Sequence, residues 1–314
     1  MQLQFLGTGA GMPSKARNTT AIALKLLEEN GSVWLFDCGE ATQHQILHTT
    51  LRPRKIDKIF ITHMHGDHIF GLPGFLSSRS FLGGDTPLTL FGPKGLQHWV
   101  ETTLALSKTH ITYPITYVTI EPGIIYEDEL FTVHADLLQH VIPCYGFRIE
   151  QKSLAGELSL EKALALGVPK GPLLGQLKAG QSVQLADGRI VESAQVVGAP
   201  KRGKVITILG DTKYCDAAIR LSNEADIVVH EATFNAETGH LAGEYGHATN
   251  VEAAQVARRA NAKHLILTHI SARFLPSEMD ALVAEARDVF PQTYMASDFT
   301  QFAFEHQQLV QSRS

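Results

Sequence analysis

Thr62-His63-Met64-His65-Gly66-Asp67-His68 decides how this chain is read. Three imidazoles and one carboxylate, all able to bind a metal ion, fall within six residues. The run Lys58-Ile59-Phe60-Ile61 just ahead is short, apolar and rich in β-branched and aromatic side chains. That composition predicts a buried strand that ends in a loop. A loop at the end of a rigid strand can aim several imidazoles at one point. Gly66 is expected to permit the sharp path that returns Asp67 and His68 beside His63 and His65. Neutral imidazole with carboxylate and no thiolate suits Zn²⁺ or a similar first-row divalent ion such as Mn²⁺. Four ligands exceed the three of an ordinary mononuclear catalytic zinc site, so two metals are expected, completed by residues elsewhere in the chain.

The rest of the chain has to supply those residues. A chain of 314 residues, 44% hydrophobic and 19% charged, can bury a full core in one or two domains. No stretch approaches the ~18 apolar residues of a membrane span. Met1 to Gly7 carries no basic leader, so a cytoplasmic protein is expected. Cys38, Cys144 and Cys215 stand alone, without a C-x-x-C pair, which fits reduced thiols. A net charge of −5 does not by itself suggest a nucleic-acid partner.

Apolar segments at 3–6, 22–26, 33–37 and 88–91 predict strands, with helices over 41–49, after Gly71 and over 96–106. The first strand enters Gly7-Thr8-Gly9-Ala10-Gly11, which lacks the lysine and serine of a phosphate loop, so no nucleotide cofactor is expected. Strands dominate residues 113–150. Strand-and-helix units return at 205–209, 227–229 and 264–267, with helices over 213–224, 249–261 and 277–289. Several strands end in a ligand-capable residue: His63, Asp211, His230 and His269. His140 lies just past the β-rich stretch, with His134 as a nearby rival. In layered α/β folds ligands collect beyond strand ends, so convergence on one site is expected.

Residues 151–204 break this rhythm. Glycine and proline recur, apolar alternation is weak, and eight basic against four acidic residues give +4 in a chain that is −5 overall. A long basic insertion of this kind predicts a flexible arm that touches a polyanion.

The H-x-H-x-D-H motif with His140, Asp211 and His269 downstream resembles the metallo-β-lactamase superfamily. Within it the chain closely resembles ribonuclease Z, the tRNA 3′-processing endonuclease, in its short bacterial form. The likeness runs end to end. It includes Phe5 to Gly11, Arg17-Asn18, Phe36-Asp37-Cys38-Gly39-Glu40, Ser78-Arg79-Ser80, Tyr145-Gly146, His230-Glu231-Ala232-Thr233 and Ser271-Ala272-Arg273. Gly171-Pro172-Leu173 and Leu177-Lys178-Ala179-Gly180 are similar to that family's substrate-binding exosite. One departure is His247-Ala248-Thr249, where the family usually reads His-Ser-Thr.

The resemblance implies a four-layer αββα sandwich, an α/β fold of one domain over 1–314 with a tRNA-binding arm inserted at 151–204, assembled as a homodimer. His63, His65 and His140 would hold one zinc ion, and Asp67, His68 and His269 the other, with Asp211 bridging. It selects His140 over His134 by its place ahead of Tyr145-Gly146. Asp67 would orient the attacking water, and His247 would act as general acid, held by Glu231. Arg273 and Ser271 would bind a phosphate near the cut, and Lys178, Gly171 and Pro172 the body of a precursor tRNA. The implied reaction removes the 3′ trailer, leaving a tRNA 3′-hydroxyl and a trailer 5′-phosphate. Another hydrolase of the superfamily, such as a phosphodiesterase, lactonase or thioesterase, would share the ligands without the basic arm. A non-catalytic RNA-binding scaffold would have lost ligands.

Overall fold

In the strand Ser32–Phe36, Val33 and Leu35 face one way and Trp34 and Phe36 the other, and all four are buried. A strand buried on both faces needs cover on both. Val33 and Leu35 join a cluster with Ile46, Leu72, Phe75, Leu76, Leu96 and Val100 from helices Thr42–Leu47, Leu72–Phe81 and Leu96–Leu106. On the other face Phe36 stacks on Phe60, Phe60 stacks on Phe91, and Phe36 meets Phe147 of a second sheet at 5.8 Å between ring centroids. The order is therefore helices, sheet, sheet, helices, as the αββα expectation requires. The computed structural model describes residues 1–305 and 308–313.

The first sheet runs Gln308–Arg313, Thr300–Glu305, Gln2–Gly7, Ala21–Leu26, Ser32–Phe36, Ile56–Phe60, Leu88–Gly92 and Ile115–Thr119. Its last four strands are mutually parallel, with Phe36 opposite Phe60 and Phe60 opposite Phe91. The second sheet runs Thr293–Met295, Leu265–Thr268, Ile227–Glu231, Val205–Leu209, Tyr145–Gln151, Phe131–Leu137 and Gly123–Glu127. Its first four strands are parallel, placing Glu231 opposite Thr268. Its outer face is covered by helices Asp216–Ser222, Asn250–Arg259 and Met279–Val289, through Ala218, Leu221, Ala253, Ala257, Leu282 and Ala286. The helix Asn250–Arg259 begins with a capping box, Thr249 and Glu252 each satisfying the other's backbone N–H.

The chain forms two compact units, the second comprising 128–132 and 150–204. The sequence reads 151–204 as a glycine-rich stretch of weak alternation. The structure gives it three short helices, Leu160–Ala165, Pro172–Lys178 and Ser193–Val196, and a hairpin of Val183–Gln184 with Ile190–Val191. Ala163, Val168, Leu177, Val183, Leu185, Val191 and Val196 form its own apolar cluster. Helices of one or two turns are too short to show a period of 3.6, so the core is invisible to periodicity. The paired strands at 300–305 and 308–313 and the helix Gly239–Tyr245 also escape the sequence reading. No described helix is long and apolar enough to cross a membrane.

Candidate metal centre and active site

Parallel strands deliver the site. Asp37 follows Phe36, and the His63 loop follows Phe60, at the carboxyl ends of neighbouring strands in the first sheet. Asp211 follows Leu209, Thr233 follows Glu231, and His269 follows Thr268 in the second. Gly210 lets these ends approach: a Cβ there would lie 2.6 Å from Cys144 Sγ and 2.7 Å from Thr62 Cβ.

His63 Nε2 lies 3.0 Å from His65 Nδ1, which lies 3.2 Å from His140 Nε2. His140 Nδ1 donates to the Gly246 carbonyl at 2.8 Å, which leaves its Nε2 lone pair for a cation. Burial holds His63 well below the usual imidazole pKa and pushes His65 and His140 down as well, so all three are neutral donors. The second group is Asp67, His68 and His269, with His68 Nε2 3.4 Å and His269 Nε2 3.3 Å from Asp67 Oδ2. Asp211 belongs to both neighbourhoods. Its Oδ2 is 3.6 Å from His63 Nε2 and 3.4 Å from His68 Nε2, and its Oδ1 is 3.5 Å from His269 Nε2.

The donor set fits a divalent metal. His68 Nε2 is buried with no hydrogen-bond partner among the described residues, although two carboxylates lie near it. Burial opposes charge on His68, yet Asp211 and Asp37 raise its pKa well above the usual value. Burial likewise opposes ionised Asp67 and Asp211, but the surrounding imidazoles hold both carboxyls well below the carboxylate range. A cluster of imidazole nitrogens and carboxylates that favours positive charge is what such an ion requires.

Partners behind the candidate ligands fix their aim. Asp37 Oδ2 accepts from His68 Nδ1 at 2.7 Å, and Asp37 Oδ1 accepts the Thr62 amide at 2.8 Å. Thr62 Oγ1 is 2.9 Å from His63 Nδ1, Thr233 Oγ1 is 2.9 Å from His269 Nδ1, and the Gly11 amide donates to Asp67 Oδ2 at 2.7 Å. Asp37 and His269 both adopt left-handed backbone, with φ of 56° and 55°. Non-glycine residues held there by their surroundings mark sites where aim matters. Gly66, expected to make the sharp turn, instead opens the one-turn helix Gly66–Ile69, and a Cβ on it would lie 2.2 Å from the Phe70 ring.

His247 stands beside the ligands without facing them in the same way. Its Nδ1 is 2.9 Å from Glu231 Oε1 and 3.9 Å from Asp211 Oδ2. Glu231 is buried and also accepts from the Thr212 amide at 2.8 Å and Thr233 Oγ1 at 2.6 Å. Burial opposes protonation of His247, but Glu231 prevails and raises it to about 9. His247, Asp67, His65, His140, Ser271 and Arg273 open onto one cavity of about 420 Å³. Arg273 sits with its guanidinium 5.7 Å from the Phe234 ring centre. Ala248 is fully buried next to His247.

Two strand-end expectations resolve differently. His230 lies one residue before Glu231 on the same strand and so points to the opposite face, buried, with Nδ1 on the Glu231 carbonyl. His134 sits within the strand Phe131–Leu137 and belongs to none of the ligand groups found among the described residues. Gly171, Pro172 and Lys178 lie in the second unit, where Gly171 precedes the helix Pro172–Lys178 with φ of 146°. Sequence reasoning assigned no role to Asp37, Thr62, Thr212 or Thr233. For Asp37 a signal existed, because it follows an apolar strand as Asp211 does.

The chain is similar to known proteins along its length. A family model described as "Anti-Pycsar protein Apyc1" matches residues 1–152, and the "Beta-lactamase superfamily domain" matches residues 183–270. A metallo-β-lactamase-fold protein from Bacillus subtilis, at 19% identity and TM-score 0.66, covers 99% of both chains and supports the fold alone. The short form of human tRNase Z superposes with a TM-score of 0.71 at 30% identity, covering 97% of this chain and all of that one. Ribonuclease Z of Anoxybacillus flavithermus is 55% identical over 303 residues, 96% of this chain and 97% of its own length. Identity at this level along nearly the whole length, on this fold, makes the chain a member of the ribonuclease Z family.

Proposed function

We propose that this chain is a metal-dependent endoribonuclease that removes the 3′ trailer from precursor tRNA, with two divalent ions, Zn²⁺ foremost, held by seven residues. His63, His65 and His140 would hold one ion, and Asp67, His68 and His269 the other, with Asp211 placed next to both groups. The observation that carries the two-metal reading is the position of Asp211, 3.4 to 3.6 Å from imidazoles of both groups, while the substrate reading rests on the ribonuclease Z relatives. When bound, such ions supply Lewis acidity at phosphorus and bring the ionisation of a water towards ~7.

The protein groups supply the rest. Asp67, fixed by the Gly11 amide, orients the attacking water and accepts its proton. Glu231 engages Nδ1 of His247, so Nε2 is the nitrogen that gives a proton to the departing ribose 3′-oxygen. Arg273, with Ser271 beside it, meets a phosphate oxygen of the substrate. The products are a tRNA 3′-hydroxyl and a trailer 5′-phosphate. Lys178, Gly171 and Pro172 bind the tRNA body through the basic stretch 151–204, which reconciles a net charge of −5 with an RNA substrate. The enzyme works in the cytoplasm as a homodimer.

Mapping cleavage ends on a 3′-extended tRNA precursor with added Zn²⁺ or Mn²⁺ tests the proposal. A cut at the trailer junction with those end groups is expected. An intact precursor beside rapid lactone or thioester hydrolysis would replace this reading with the other hydrolases.

A further inference from the structure

The helix Gly239–Tyr245 ends at Gly246, whose φ of 80° is left-handed. One turn thereby sets three things. Tyr245 precedes Gly246, the Gly246 carbonyl holds His140, and His247 follows with its amide on Ala242. Tyr245 is thus tied rigidly to a metal ligand and to the proton donor. The residue is 48% exposed and lines the same cavity as His247 and Asp67. Phe234, almost fully buried, backs it with nearly parallel rings 15° apart and centroids 6.4 Å apart. Val141, 60% exposed, lines the cavity as well and lies against Gly246. An aromatic face open to solvent, stiffened from behind and placed at the rim of a polar site, offers a surface on which a flat ring can stack.

Building on the proposed reaction, we infer that Tyr245 is a stacking platform for a nucleobase adjoining the scissile phosphate. The substrate at that point is single-stranded, and its bases are free to lie on an aromatic ring. Stacking of this kind tolerates every base, which suits an enzyme that must accept trailers of different sequence. Tyr245 is therefore a positioning residue: the base on its ring sets where the phosphate meets His247.

Single-turnover cleavage of precursor tRNA tests this, using Tyr245→Ala and Tyr245→Phe with intact RNA and with RNA made abasic at the last tRNA nucleotide or at the first trailer nucleotide. One base stacked on one ring corresponds to roughly 5- to 150-fold in rate at subsaturating enzyme. Tyr245→Ala should lose that much, and Tyr245→Phe should stay within about three-fold because the ring is kept. One abasic position should cost the wild type the same factor and cost Tyr245→Ala nothing more. Losses that multiply at both positions, or a Tyr245→Ala enzyme as fast as wild type, would overturn the stacking alone. Failure of the Phe variant alongside the Ala variant would point to the hydroxyl and overturn it equally. A wild type that leaves every precursor whole would overturn the stacking together with the proposed reaction.

Discussion

His247 and Glu231 are joined by a hydrogen bond of 2.9 Å, the Nδ1–H of the ring donating to Oε1 of a carboxylate that two further groups also hold in place. The bond holds the ring through Nδ1 and leaves Nε2 free of Glu231, on a residue that lines the cavity shared with Asp67. His247→Ala should therefore slow precursor cleavage by about 10²–10⁴, the usual worth of general acid catalysis. Bound metal should stay near the wild-type amount. On a model phosphodiester whose leaving group has a low pKa the defect should shrink, since that oxygen departs without a proton. An equal defect on both substrates would show that His247 serves another purpose.

Asp211 touches imidazoles of both ligand groups, so its loss should disturb both ions. Elemental analysis of protein prepared without chelator should approach two metals per chain. Asp211→Ala should retain less metal than any single histidine variant. A firm value of one metal, unchanged in Asp211→Ala, is the result that excludes a shared carboxylate.

Asp37 is buried behind the ligands and accepts from His68 Nδ1, the Thr62 amide and the Thr62 hydroxyl. Asp37→Ala would leave those donors without their acceptor and free the His68 ring to turn. Metal affinity should fall by about 10- to 100-fold, the usual effect of removing a ligand's supporting carboxylate. The melting temperature should drop in metal-replete buffer. Titration with a competing chelator reads the affinity, and a value equal to wild type would remove Asp37 from the site's support.

Adding excess chelator to the wild type should lower its melting temperature, because ions that bind only the folded chain stabilise it by mass action. Restoring Zn²⁺ or Mn²⁺ should recover the transition. A melting curve indifferent to chelation would mean that the clustered imidazoles and carboxylates stand without an ion.

The second unit has its own apolar cluster, and its stretch 151–204 carries a charge balance of +4. Replacing residues 155–198 by a short Gly/Ser linker should leave metal bound and hydrolysis of a small phosphodiester within a few-fold of normal. Binding of precursor tRNA should weaken greatly, with a shallower dependence on salt as phosphate contacts are lost. Mixing the deleted chain with full-length His65→Ala should restore some cleavage if each unit serves its partner in a homodimer. Normal processing by the deleted protein would assign specificity to the metal cavity instead.

The sequence by itself marked most of the sandwich's strands and the candidate ligands of its first loop. Five-residue apolar runs with a polar residue at their carboxyl ends are local patterns, and His63, His65, Asp67 and His68 are neighbours in the chain. What it could not show is which polar residues share a face. His230 and Glu231 are adjacent in the strand Ile227–Glu231, yet the two-residue period sends one into the core and the other to His247. The choice between His134 and His140 is of the same kind, since it rests on the loop after Leu137 returning beside His65. Only the tertiary structure could pair Asp37 with His68, 31 residues apart, or Thr233 with His269, 36 apart. Each pairing arises where neighbouring parallel strands of one sheet end together, a consequence of strand order and register that no local window of sequence contains.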